Sequence, residues 1–458
     1  MQTFDMILIG TGAGPTVAFA ASAKGMKVAV VEEGPFGGVC VNRGCIPSKM
    51  LIRSADVADT VRRAHEWGIA AEIRGIDWQT IVSSVSETID GWSADGERAS
   101  QNDPNQTVFK GHARFVGEKT LEVNGEQIRA DTVVIAAGGR PFVPPVPGLE
   151  GTPYLTSDNA LRLMSQPRRL VVIGGGSVAA ELAHFFGGLG TDVTIVERGP
   201  MLLGGIDADV AKTFTEVYKR GFDVRLDTNL MRVDYANGVF SLELEHDGAT
   251  TKLDCDSLLV ATGRVPNTDT LNVAATGVEL NEGGFIRTDE YLETSVRGIW
   301  ALGDITGNYM LRHNSNLEAS YVAHNVLNYA AKQPADHHGM PFAVFASPQV
   351  GGVGLTEGEA RKGGRKVRVG RGEYSDVTYG ISLHDRDGFI KVIADAETRE
   401  VLGCHIIGTD ASILTQEVAN VVRQRQTTDS ITQAIYIHPA LPEVVQKAFL
   451  RCEAADPS

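Results

Sequence analysis

The sequence predicts an α/β fold organised around two copies of one strand–turn–helix–strand unit. Three observations predict it. MILIGTGAG (Met6–Gly14) and LVVIGGGSV (Leu170–Val178) are apolar strands that run straight into glycine-rich turns. Behind each turn the apolar period becomes helical, in VAFAASAKG and VAAELAHFFGGLG. Each unit then has a second strand closed by an acid, Glu32 after KVAVV and Glu197 after DVTIV.

In the first unit, Gly10 makes the tight turn, Gly12 lets backbone approach a pyrophosphate, and Gly14 leaves further room; Gly174 and Gly176 repeat this in the second unit. The helix that follows offers free N–H groups and partial positive charge to the phosphate. Glu32 lies 22 residues after Gly10 and Glu197 lies 23 after Gly174, the spacing of an acid that accepts hydrogen bonds from ribose hydroxyls. One lone glycine turn carries little information; two in the same context, each with its acid, identify Rossmann-like dinucleotide sites. The first copy departs at its third glycine slot, which holds Pro15 where the second has Ala179. Proline is tolerated in a first helical turn because its missing N–H would be unpaired there.

Each unit has a later matching strand that ends in small residues. TVVIAAGGRP brings Ala137 and Gly138 to the first site, and LLVATGRVPN brings Gly263 to the second. GIWALGDITG ends a buried strand at Asp304, an acid placed either to cap a helix or to bind a polyol.

Just after the first acid strand stands FGGVCVNRGCIPSKML. Its cysteines, Cys40 and Cys45, are five residues apart. Five residues of regular helix rise ~7.5 Å, more than the usual ~4.4–6.8 Å between disulfide Cα atoms. A closed pair therefore requires a departure from helix, and Gly44 supplies the freedom for it. Gly37 and Gly38 let backbone approach a ligand. Three readings of the pair are open. A zinc site lacks a second Cys/His pair at ligand spacing. Two inert buried thiols are the bland alternative. A redox disulfide fits best, because a dinucleotide fold precedes it and can bring a flavin to it, and Arg43 and Lys49 favour thiolate.

AIYIHPALPEVVQKAF places His438 and Glu443 five apart, with Pro439 and Pro442 forcing a turn between them. Thiol–disulfide exchange needs a group to take and return the thiol proton, and histidine titrates in that range. A neighbouring carboxylate fixes its tautomer. Cys255, Cys404 and Cys452 have no neighbouring cysteine and read as small buried hydrophobes.

Composition bounds the rest. The chain of 458 residues has a formal charge of −15, which argues against nucleic-acid and anionic-membrane partners. No run reaches the ~18 apolar residues of a membrane span, and MQTFDMILIG enters a strand with no signal-peptide pattern. A cytoplasmic location follows, and in a reducing compartment a close cysteine pair is more often catalytic or metal-binding than structural.

Together these motifs resemble the class I pyridine nucleotide–disulfide oxidoreductases, from the first glycine turn to HPALPE, with GGVCVNRGCIPSK the most specific. The resemblance implies FAD in the first unit, a nicotinamide nucleotide in the second, and a C-terminal α+β dimerisation domain. It implies residues 1–148 and 271–340 as the FAD-binding and central region, 149–270 as the NAD(P) domain, and 341–458 as the interface of a homodimer. Residue by residue, Cys45 matches the thiol that faces the flavin and Cys40 the interchange thiol. Lys49 and Glu181 match an ion pair beside the flavin, Gly38 and Asp304 match flavin contacts, and His438 and Glu443 match a dyad supplied by the partner subunit.

The resemblance divides by substrate. HPxLxE with one redox pair is similar to dihydrolipoamide dehydrogenase and to mycothione reductase. Mercuric reductases replace the histidine and add a C-terminal cysteine pair; soluble transhydrogenases lack the first cysteine. Glu197 favours NAD(H) over NADP(H), because an acid repels a 2′-phosphate. That places dihydrolipoamide dehydrogenase first, with a lipoyl-bearing protein as a partner. The alternative is an NAD(P)H-dependent reductase of a low-molecular-weight disulfide, of the mycothione or bis-γ-glutamylcystine type. YMLRHNSNLEASYVAHNVL and Pro15 favour that alternative. A flavin NADH oxidase or diaphorase that never cycles its cysteines, and a non-catalytic flavoprotein, are the rivals from other classes.

Overall fold

The computed structural model describes residues 1–456 and contains five β-sheets. The first has seven strands in the order Gln106–Lys110, Val28–Glu32, Gln2–Ile9, Glu126–Ile135, Thr120–Val123, Ala113–Gly117, with Ile299–Ala301 also paired to Glu126–Ile135. Its central strands are parallel. Val28–Glu32 is buried nearly throughout and Gln2–Ile9 over Met6–Ile9, which is why VAVV and MILI are apolar runs and not alternating patterns.

Register decides what this sheet presents. Ile9 pairs with both Val31 and Ile135, and Ile135 pairs with Ala301. Two parallel neighbours, and Ile299–Ala301 beyond one of them, therefore end level with the first strand. Gly10, Glu32, Ala137 and Asp304 all emerge at one carboxyl edge, where ligands bind in open parallel sheets.

The second unit repeats the device. Asp223–Arg225, Asp192–Val196, Arg169–Ile173 and Ser257–Val260 form a four-stranded parallel sheet. Ile173 is level with Val196 and Val260, so Gly174, Glu197 and Gly263 share an edge. A three-stranded antiparallel sheet (Asn229–Ala236, Val239–His246, Ala249–Cys255) and the two-stranded pairing of Gly139–Pro141 with Arg264–Pro266 complete the nucleotide-binding part.

Helix Ser177–Gly188 is apolar almost all round because it is covered on both sides. Its Phe185 and Phe186 stack with Trp78, with ring centroids 5.1 and 5.5 Å away. Helix Cys45–Arg63 belongs to the same core and buries Leu51, Ile52, Ala55 and Ala58, one stripe at helical spacing. Fully burying the two larger side chains, Leu51 and Ile52, stabilises by roughly 1.5–3 kcal/mol each. This packing holds the cysteine helix against the second unit.

From Pro341 onwards the chain forms a five-stranded antiparallel sheet in the order Pro341–Val344, Gln349–Gly354, Val401–Gly408, Phe389–Asp395, Val367–Glu373. Helices Ala411–Arg423 and Glu443–Ala454 share a core with it. No helix among the described residues is long and apolar enough to cross a membrane.

Candidate active site

Gly10 has φ +92°, and a Cβ there would stand 2.4 Å from the Ala136 carbonyl oxygen, so only glycine makes this turn. Pro15 is the first residue of helix Pro15–Ser22, with Gly14 at the N-cap. The departure from the glycine pattern thus falls where proline does no harm.

Glu32 receives three hydrogen bonds from its own surroundings. Thr11 donates from its amide (2.9 Å) and its hydroxyl (2.7 Å), and the Gly34 amide donates at 2.8 Å. The acid closes the turn and keeps about one of its four lone-pair sites for a ribose. Gly37 donates to the Thr11 hydroxyl at 3.1 Å. Gly38 has φ +64°, and a Cβ on it would meet the Gly12 Cα at 2.8 Å. Sequence reasoning assigned Gly38 to ligand approach; the structure first uses it to seat the cysteine segment on the glycine turn.

Cys40 and Cys45 form a disulfide with a Cα–Cα distance of 4.8 Å. As the spacing requires, the helix breaks between them. Gly38–Arg43 is one helix, Gly44 leaves helical geometry, and Cys45 starts the next. The buried Asn42 amide ties the loop down, donating to the carbonyls of Phe36 (2.9 Å) and Gly38 (3.0 Å). Arg43 pairs with Asp158 at 3.4 Å.

One turn further on, Lys49 meets Glu181 at 2.6 Å. The other Glu181 oxygen accepts from the Phe345 amide at 3.0 Å, and Lys49 lies over the Phe345 ring, 4.9 Å from its centroid. The carboxylate therefore joins the cysteine helix, the second unit and the C-terminal sheet.

Asp304 lies in a single 3-10 turn after its strand and caps no helix. Its carboxyl faces Arg264 at 3.5 Å. Burial raises its pKa; Arg264 opposes this and the nearby Glu318 adds to it. The atom that faces Asp304 is the buried Arg264 Nε, whose contact with the carboxylate is a long ion pair and its one polar contact within the protein. Glu318, fully buried, accepts from the Gly303 amide at 2.6 Å and from His337 at 3.0 Å, and so holds the turn that presents Asp304.

In the second unit, Glu197 accepts from the Gly199 amide at 2.6 Å. Gly174 (φ +115°) packs against Ala261. A Cβ on Gly138, Gly176 or Gly263 would meet nothing within 4 Å, so those backbones face open space.

These observations fit the two nucleotides. Open glycine backbone and an acid with lone-pair capacity to spare stand on each carboxyl edge, and the Arg264–Asp304 pair stands on the first. FAD would be held by Gly10, Gly12, Glu32, Gly138 and Asp304, and the nicotinamide nucleotide by Gly174, Gly176, Glu197 and Gly263.

His438 Nδ1 is 2.8 Å from Glu443 Oε1, and Glu443 Oε2 accepts from the Ala440 amide at 3.0 Å. These bonds, that from His438 first, hold the Glu443 carboxyl below its ordinary range. The His438 side chain is 73% exposed. Within one chain, no hydrogen bond or ion pair among the described residues joins this dyad to the disulfide.

The three remaining cysteines are buried free thiols. Burial pushes Cys255 up to about 12 and Cys452 up to about 11, and it raises Cys404 as well. None is poised as a thiolate near neutral pH.

Residues 4–319 match the model of the pyridine nucleotide-disulphide oxidoreductase family, and residues 340–449 match that family's dimerisation domain. The chain belongs to this family. It is a flavoprotein disulfide oxidoreductase that uses NAD(P), with Cys40–Cys45 as the redox disulfide. It is 39% identical to mycothione reductase of Mycobacterium tuberculosis strain H37Rv, over 98% of this chain and 99% of that one. It is 35% identical to dihydrolipoyl dehydrogenase of Chlorobaculum parvum, over 97% and 96%. The solved HOCl-induced flavoprotein disulfide reductase RclA of Escherichia coli, as its Cu(II) complex, superposes with a TM-score of 0.88 at 27% identity, over 98% of this chain and 99% of that one.

Sequence reasoning missed Thr11, Arg264, Glu318 and Phe345. Glu318 lies on helix Arg312–Leu327, whose buried face carries Asn314, Ser315, Glu318 and Asn325. A polar stripe reads as a solvent face until its partners are known, so the sequence carried no signal for it.

Proposed function

We propose that this protein is an NAD(P)H-dependent reductase of a low-molecular-weight disulfide of the mycothione type, working as a homodimer. The observation that carries this reading is the 39% identity to a mycothione reductase across the whole chain, against 35% for a dihydrolipoyl dehydrogenase of similar coverage. It reverses the order that Glu197 alone suggested. Glu197 remains the argument for NAD(H) as the preferred nucleotide.

FAD supplies two-electron transfer from the nicotinamide to the disulfide. Two electrons and a proton open Cys40–Cys45 to a thiol and a thiolate. His438 of the partner subunit, oriented by its Glu443, takes the Cys40 proton. The Cys40 thiolate attacks one sulfur of the substrate, RSSR. That S–S bond breaks, and the first RS⁻ leaves with the proton returned by His438. Cys45 thiolate then attacks Cys40 in the mixed disulfide, the second RS⁻ leaves and takes a proton, and Cys40–Cys45 re-forms. In sum, NAD(P)H, H⁺ and RSSR give NAD(P)⁺ and two RSH. Lys49 and Glu181 fix the cysteine helix beside the flavin.

The test is a steady-state panel of mycothione, lipoamide, glutathione disulfide and bis-γ-glutamylcystine with NADH and NADPH. Mycothione with NADH is expected to give the highest kcat/KM, at least about ten-fold above the others, a difference of about 1.4 kcal/mol in transition-state binding. Higher turnover of lipoamide would overturn the reading in favour of a dihydrolipoyl dehydrogenase. Turnover with oxygen or quinones alone would overturn the disulfide assignment.

A further inference from the structure

Arg312 opens helix Arg312–Leu327 and is half-buried. Its guanidinium reaches back to the first glycine turn. Nη1 is the one atom within 4 Å of where a Cβ on Gly12 would stand, at 3.9 Å. Among the described residues this guanidinium has no hydrogen-bond or ion-pair partner, and burial is the sole influence on it, lowering its pKa. A guanidinium stays charged at any ordinary pH. A partly desolvated cation with no counter-charge is unfavourable until an anion arrives.

The acids of the adjoining turn and of the same helix are engaged elsewhere. Asp304 faces Arg264, and Glu318 is occupied by His337 and the Gly303 amide. Gly12, by contrast, is the point in the turn where missing side-chain volume lets a diphosphate approach. We propose that Arg312 is a further FAD-binding residue, pairing through its guanidinium fork with the diphosphate that lies along Gly12. Phosphate oxygens match that fork geometrically, and a half-buried setting strengthens the charge-assisted bonds. The diphosphate is thereby held from two sides, by the N-terminal turn of helix Pro15–Ser22 and by Arg312. The inference rests on the family's FAD and is independent of the disulfide substrate.

The experiment follows FAD release from the purified holoenzyme, by flavin fluorescence, as KCl is raised. R312Q and R312M are expected to weaken FAD binding roughly ten- to hundred-fold and to flatten its salt dependence. R312K keeps the charge without the fork and is expected to lose roughly three- to ten-fold. The visible absorption maxima of the bound flavin should stay in place in all three. FAD binding unchanged within about two-fold in the neutral variants, with the same salt slope, would overturn the proposal. So would a displaced flavin spectrum with unchanged retention, which would put Arg312 against the ring system. If the neutral variants fail to fold, R312K decides: retention equal to wild type counts against the proposal.

Discussion

At the scale of single residues, the proposed chemistry rests on two thiols and one imidazole. Cys40→Ser should abolish disulfide turnover and leave FAD bound, because in the proposed cycle Cys40 makes the bond to substrate and the residues that would hold FAD lie elsewhere. Absorbance of the purified variant and a steady-state assay check both halves; normal turnover would sink the assignment. His438→Gln should lower kcat for disulfide reduction by roughly 10²–10⁴, the usual contribution of a positioned acid–base group. Quinone reduction by NADH, which needs no thiol proton transfer, should persist at near wild-type rate; equal loss of both activities would argue for a structural role. The cysteines, His438 and Glu443 were legible in the sequence because their spacing and residue types constrain the chemistry. Arg264, Glu318 and Phe345 were not. Each becomes significant through a partner more than twelve residues away, and no local pattern records that.

At the scale of elements, the glycine turns, acid strands and cysteine segment folded as their patterns require. Tertiary packing added constraints of its own. Strand Val401–Gly408 carries His405, which is 2% exposed, lies near a Phe342 ring, and has Nε2 3.0 Å from the Leu355 carbonyl. Burial holds its pKa below the ordinary value and outweighs the opposite pull of the Leu355 carbonyl, Asp207 and Glu359; Lys391 adds to the lowering. The sign follows. The unfolded chain binds a proton at about pH 6.5 and the folded chain binds it only lower down. Stability is therefore lost as pH falls below about 6.5, at most about 1.4 kcal/mol per pH unit for this one group, until the folded-state pKa is reached. His405→Gln keeps an N–H for Leu355 and removes the titration. Urea midpoints at pH 7.5 and 5.0 should fall less in the variant than in wild type; equal falls would refute the account.

At the scale of the whole molecule, a buried ion cluster joins the second nucleotide unit to the C-terminal sheet. Lys391, in strand Phe389–Asp395, meets Asp207 at 3.1 Å, Asp209 at 2.6 Å and Glu357 at 2.8 Å. Burial opposes its charge, but bonds to Asp209, Glu357 and Asp207 prevail and raise its pKa. Lys391→Met strands the buried Asp207 without its cation and should cost about 3–5 kcal/mol in unfolding free energy. Calorimetry or urea titration reads this, and a loss below about 1 kcal/mol would show the cluster to be incidental. The second prediction at this scale concerns assembly. Ile435 and Ile437 are 101% and 81% exposed in the single chain, on either side of Tyr436 and next to His438. Ile437→Asp should weaken dimerisation in sedimentation and lower disulfide turnover with it, while FAD stays bound; a stable, fully active dimer would rule this out.

The sequence by itself determined the two nucleotide units, the position of the redox pair and the break its closure needs. All of these follow from spacing within about 25 residues, where backbone geometry leaves few choices. Only the tertiary structure decided that Ile9, Val31, Ile135 and Ala301 end level, that Glu181 ties three regions together, and that Arg312 reaches Gly12 with no acid to meet it. Register and packing between segments hundreds of residues apart are set by which faces exclude water together. That property belongs to pairs of elements, and no single stretch of sequence carries it.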